Sequence, residues 1–95
     1  MARKTVDFNK SGIEKLPNNR PVVYRIQTES GKTNYVGITK RGRVHERLQE
    51  HLPGSKDHVP GSKVQIQQAN RVDEARRAEL LAISRSKPKY NDQGK

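Results

Sequence analysis

Two tyrosines, an arginine and a histidine are spaced so that their side chains could act on one chemical group. Tyr24 lies in the run Val22-Val23-Tyr24-Arg25-Ile26-Gln27-Thr28. Tyr35 lies in Thr33-Asn34-Tyr35-Val36-Gly37-Ile38, and Glu29-Ser30-Gly31-Lys32 separates the two stretches. Both stretches are rich in β-branched and aromatic residues, which predicts a β-hairpin. A two- or four-residue loop centred on Ser30-Gly31 pairs positions whose numbers sum to 61, such as Tyr24 with Gly37 and Ile26 with Tyr35. The two phenols then share one face as diagonal neighbours, roughly 7 to 8 Å apart at the backbone and close enough to serve one site. A three-residue loop would put them on opposite faces. Further on, Val44, Leu48 and Leu52 repeat as the buried stripe of a helix. Arg47 and His51 stand one turn apart on a neighbouring face, where both can reach the same ligand.

Other chemistries find less support. The histidines His45, His51 and His58 lack metal-site spacing and have no cysteine partners, so nothing suggests zinc. No nucleophilic triad and no glycine-rich phosphate loop can be read. The absence of cysteine excludes disulfides and thiolate sites without fixing a compartment. Charge is more informative: 20 Lys and Arg against 10 Asp and Glu give a formal +10, which attracts polyanions, nucleic acid foremost. A solubilising surface or a small structural RNA binder of the ribosomal kind would carry the same charge.

The elements that must position these side chains fit one small domain, because 95 residues with 29% hydrophobic content can bury a single core under two layers. Residues 1–20 form a lead-in that packs over one edge. In it Ser11-Gly12-Ile13-Glu14 has capping-box spacing for a short helix ending before Pro17. The basic turn Lys40-Arg41-Gly42-Arg43 precedes the helix predicted over Val44 to Leu52. Between Pro53 and Lys63 the tetrapeptide Pro-Gly-Ser-Lys occurs twice, which reads as a solvated loop or as a mobile basic loop whose Lys56 and Lys63 touch phosphates. Val64 to Ala69 alternates as a third strand. Asp73 is placed to cap a helix over Glu74 to Ser86 that Lys87-Pro88 terminates. The end frays after Asn91, leaving 92–95 as a disordered tail. No apolar run suggests a membrane span or secretory signal, so a soluble cytoplasmic protein is expected.

Taken in order, Val22-Val23-Tyr24, Tyr35-Val36-Gly37, Arg47, Glu79 and Pro88-Lys89-Tyr90-Asn91 resemble the GIY-YIG nuclease family over residues 21–91. In that family a tripeptide ending in Tyr is followed about ten residues on by Tyr-Ile-Gly or Tyr-Val-Gly. A helix bearing Arg, a helix bearing a metal-binding Glu and a Pro-x-Tyr-Asn ending come next. Here Glu79 precedes Asn91 by twelve, as in excision-repair members, and a histidine four residues past the arginine, like His51, recurs in homing-endonuclease members. There are three departures. The first tripeptide is Val-Val-Tyr rather than Gly-Ile-Tyr, two extra residues separate Tyr35 from Arg47, and Ile38 stands where excision-repair members carry Lys, with Lys40 available to compensate.

The resemblance implies an α+β fold with a small three-stranded, mostly antiparallel sheet flanked by helices. It also implies a metal-dependent endonuclease that hydrolyses phosphodiester bonds of DNA, rather than RNA, at a single metal. Glu79 would hold Mg²⁺, with Mn²⁺ as a substitute; one carboxylate suits an ion that keeps several waters. Tyr24 would act as base, Tyr35 would orient the water, Arg47 would hold phosphate oxygens and His51 would relay a proton. Asn91 would brace the site and Gly37 would be a structural motif residue. Lys40, Arg41, Arg43, Lys56 and Lys63 would contact nucleic acid. A separate specificity domain or protein partner would supply sequence preference. The competing readings are a non-catalytic basic nucleic-acid-binding module and a nuclease used as a toxin or mobile-element accessory.

Overall fold

A computed structural model describes residues 3–52, 54 and 58–87. The elements run β1 (Arg3–Asp7), α1 (Lys10–Glu14), β2 (Val22–Gln27), β3 (Thr33–Thr39), α2 (Val44–Gln49), β4 (Lys63–Gln68) and α3 (Val72–Ser86). The strands form one four-stranded antiparallel sheet in the order β1-β4-β2-β3. The expected α+β class is therefore observed, but with four strands instead of three. The added strand comes from the lead-in: Arg3-Lys4-Thr5-Val6-Asp7 turns only Val6 partly inward and pairs through its backbone with β4. Such a charged edge strand has almost no hydrophobic alternation to betray it.

The hairpin explains how the two tyrosines come together. At its tip the Thr28 N–H donates to the Lys32 carbonyl and Gly31 adopts φ 94°, so three residues, Glu29 to Gly31, make the turn. By itself this turn would place Tyr24 and Tyr35 on opposite faces. A bulge removes the shift, because Ile26 pairs with Tyr35 while Gln27 pairs with Thr33, which leaves Asn34 as the extra residue. The buried Asn34 amide donates to the Pro60 carbonyl at 2.8 Å, anchoring the bulge to the segment before β4. Below the bulge the expected register holds, with Tyr24 opposite Gly37.

Alternation then divides the molecule into two cores. Val22, Tyr24, Ile26, Val64 and Ile66 face α1 and α2, packing with Ile13, Leu16, Val44 and Leu48. Val23 and Val36 face α3, where Ala75 and Ala82 let the helix lie close to the sheet and Ile38, Ala78 and Ile83 pack at the margin. The α1 helix is capped by Asn9, whose side chain accepts from Gly12 N at 2.7 Å, and not by Ser11. The α2 helix is shorter than expected: after Gln49 the chain tightens through His51 N to Leu48 O and Leu52 N to Gln49 O, the i to i−3 bonds of a 3₁₀ turn. The long helix begins at Val72, one residue before the Asp73 cap expected from sequence, and its flanking Arg71 makes no side-chain cap bond. Among the described residues no helix is long and apolar enough to cross a membrane.

Candidate functional site

Tyr24 is fully buried on the α2 side of the sheet, and its ring lies across the facing strand over Gly37. A Cβ at position 37 would run into the Tyr24 ring and hydroxyl. The glycine of Tyr35-Val36-Gly37 is thus explained by the tyrosine opposite. The Tyr24 hydroxyl meets His51 Nε2 at 2.9 Å, and with that nitrogen unprotonated the hydroxyl is the donor. The two tyrosine rings stand 6.0 Å apart, and the His51 ring is 5.7 Å from Tyr24 and 5.0 Å from Tyr35, so the three rings form a triangle. His51 is buried and held by its own backbone, whose carbonyl accepts from Val59 N at 3.0 Å. Gly37→Ala is therefore expected to displace the Tyr24 ring and to lower stability by about 1–3 kcal/mol through overpacking. Thermal denaturation, together with the chemical shifts of the His51 ring, reads both effects.

Burial pushes the Tyr24 hydroxyl well above the ordinary tyrosine range, Tyr35 pushes it further, and the Arg47 guanidinium, which reaches the same hydroxyl, pulls it back. Burial works against the Arg47 charge, but Tyr24 and then Glu50 outweigh it and raise its pKa. Arg47 Nη1 pairs with Glu50 Oε1 at 2.9 Å. Arg47 and Glu50 open into a cleft of about 260 Å³ that Ile38, Thr39, Lys40 and Arg43 also line, while Tyr24 lies buried behind it. The site is thus a neutral phenol touched by an imidazole and a guanidinium, beside a cleft to which the described residues contribute three cations, Lys40, Arg43 and Arg47. It can hold an anion and pass a proton inward from the Tyr24 hydroxyl.

Of the residues expected from sequence, Tyr24, Tyr35, Arg47 and His51 are brought together, while Lys40 and Arg43 line the cleft. Arg41 is exposed on the adjoining turn. Lys63 lies elsewhere, at the start of β4, where it pairs with Asp7 of the edge strand at 3.4 Å. Lys56 and Asn91 fall outside the described residues. Glu79 belongs to the other layer, on α3. Ala78, Leu81 and Arg85 of that helix line the groove over Arg3, Arg25, Gln65 and Gln67, so helical spacing turns Glu79 to the other flank of α3, the one on which Ile83 packs with Val36 and Ile38. Glu79 is not among the described residues that line the cleft, whose Ile38 packs against the α3 core. Partial burial raises the Glu79 carboxyl pKa, with Arg76 offsetting some of the rise.

Two cleft residues were missed by sequence reasoning. Glu50 was legible as an i, i+3 partner of Arg47, and Thr39 carries a buried hydroxyl with no hydrogen-bond partner among the described residues. His45 and His58 stand apart: His45 Nε2 contacts the Leu16 carbonyl at 2.6 Å, and His58 is exposed. Among the described residues no three His, Asp or Glu side chains gather into a metal-holding group. A single partly desolvated carboxylate fits a hard cation that keeps most of its waters and takes other ligands from a phosphate. Fold and site together define a small α+β protein with a buried tyrosine cluster beside a basic cleft. No protein-family model, no curated protein and no solved structure matches the chain.

Proposed function

We propose that the protein is a metal-dependent endonuclease of the GIY-YIG kind that hydrolyses phosphodiester bonds of DNA. The observation that carries this reading is the convergence of Tyr35, Arg47 and His51 on the Tyr24 hydroxyl beside a cationic cleft. Hydrolysis needs a deprotonated water, charge on phosphorus neutralised and the departing 3′ oxygen stabilised. A phosphate entering the cleft competes with Glu50 for Arg47, whose fork suits two non-bridging oxygens. Tyr35 orients the attacking water. Tyr24 accepts the water's proton as its own passes to His51 Nε2, so no free phenolate need form in a buried site that disfavours one. Glu79 would hold Mg²⁺, or Mn²⁺ in its place, and the bound ion would supply positive charge against the leaving oxygen.

A second reading, a binding module without catalysis, is favoured by the Arg47–Glu50 pair, which leaves Arg47 already satisfied in the free protein. Supercoiled plasmid at low salt separates the two. Nicking with Mg²⁺ or Mn²⁺ that EDTA abolishes is expected; retardation on a gel with no nicking under any metal condition would replace the nuclease by the binding module.

A further inference from the structure

The opposite face of the sheet carries a second basic concavity. It measures about 450 Å³ and lies between α3 and a polar floor drawn mainly from β1, β4 and β2. Register builds it: Arg25 pairs with Gln65, and Gln67 with Arg3, so alternate positions of three strands put arginine and glutamine on the α3 side. The α3 helix packs on β3 and β2 and raises Arg85 as the opposite wall. Among the described residues no carboxylate lines the groove, although Arg3, Arg25 and Arg85 all do. Arg25 Nη1 is buried without a hydrogen-bond partner among the described residues. A desolvated guanidinium nitrogen beside like charge is unfavourable unless an anion completes it. In keeping with this, burial, and then Arg3, lower the Arg25 pKa.

We propose that this groove is a second phosphate site, with Arg25 in its floor and Arg3 and Arg85 on its walls, and that it takes a backbone phosphate of DNA. The owner of the phosphate rests on the nucleic-acid reading above; the site itself rests on three converging arginines and, among the described residues, on an Arg25 nitrogen without a partner and a lining without a carboxylate. Exposed Leu81 beside the arginines offers an apolar surface for a sugar. Because this face is turned away from Tyr24, a strand held here is held independently of the cleft.

The test follows the Arg25 Nε–Hε resonance of the full chain during titration with inorganic phosphate, and in parallel the salt dependence of binding to a short mixed-sequence duplex. A saturable Arg25 shift is expected in the wild type and in Arg47→Ala, weakened several-fold in Arg85→Gln. The slope of log K against log salt should become shallower by about one in Arg25→Gln and in Arg85→Gln, the loss of one phosphate contact. Arg85 is exposed near the helix end, so that variant keeps the test alive if Arg25→Gln fails to fold. No saturable Arg25 shift overturns the site; a shift with unchanged slopes overturns its assignment to DNA. Failure of the nuclease reading would appear separately, as a wild type that does not nick plasmid yet gives both binding signals.

Discussion

Glu79→Gln is expected to abolish metal-dependent nicking, to raise the melting temperature of the free protein at neutral pH, and to leave DNA retardation unchanged. The three results follow from one side chain. Partial burial raises the Glu79 pKa above its ordinary 4.5, so the folded state disfavours the ionised form. The associated stability is fully present below the unfolded value and is lost as pH rises through the folded one, so neutral protein carries the whole penalty. Glutamine removes the charge and with it the penalty, while the formal charge moves further from neutrality on the positive side, which cannot weaken attraction to phosphate. Wild-type protein should also gain thermal stability on adding Mg²⁺, since an ion bound only by the folded state stabilises it, and the variant should not. Glu50→Gln is the control. Glu50 is the one carboxylate among the described residues that line the cleft, and if its loss abolishes nicking while Glu79→Gln nicks normally, the ion belongs to Glu50.

That control matters because of how the site is encoded. The tyrosines were legible because the sheet period and strand register decide which face each residue takes, and β-branched runs announced both strands. The tip of the hairpin was not legible. Its three-residue turn and the Asn34 bulge each shift the register by one, and the two shifts cancel at Tyr24 and Tyr35. What selects the bulge is a tertiary bond from Asn34 to Pro60, which no local pattern contains. The edge strand Arg3–Asp7 was hidden for a different reason: backbone pairing holds it, and its exposed, charged side chains resemble a loop. Arg47 and His51 were read as neighbours on a regular helix, but the 3₁₀ tightening after Gln49 tucks His51 into the core while Arg47 stays at the surface. Their common target is therefore a protein hydroxyl. Glu79 could be placed on a helix from its sequence, but which flank it takes depends on how α3 lies over the sheet, set by Ala75 and Ala82 against Val23 and Val36.

Tyr24→Phe should lower the nicking rate by about a hundredfold to ten-thousandfold, the range spanned by general acid–base groups. His51→Gln should do nearly the same, and the double variant should be no slower than the worse single one. If Tyr24 hands its proton to His51 across the 2.9 Å bond, the two act as one relay, and breaking it at either end forfeits the same step. Additive losses would instead mean two independent roles. The same hydroxyl has a second signature that does not involve activity. Tyr24→Phe takes a buried bond from His51 and should cost about 1–3 kcal/mol near neutral pH. Burial holds the Tyr24 pKa above the ordinary value of 10.0. Below that value the folded and unfolded chains both keep the proton. Above it the unfolded tyrosine ionises while the folded one does not, so wild-type stability falls as the solution becomes more alkaline. Phenylalanine has no such titration, so urea unfolding from about pH 8 to about pH 11 should show the wild-type and Tyr24→Phe curves converging, with the ordinary tyrosine range as the onset. Parallel curves would mean that Tyr24 ionises as readily folded as unfolded. In that case the hydroxyl is not desolvated, and it could serve as a base in its own right with His51 reduced to a packing partner.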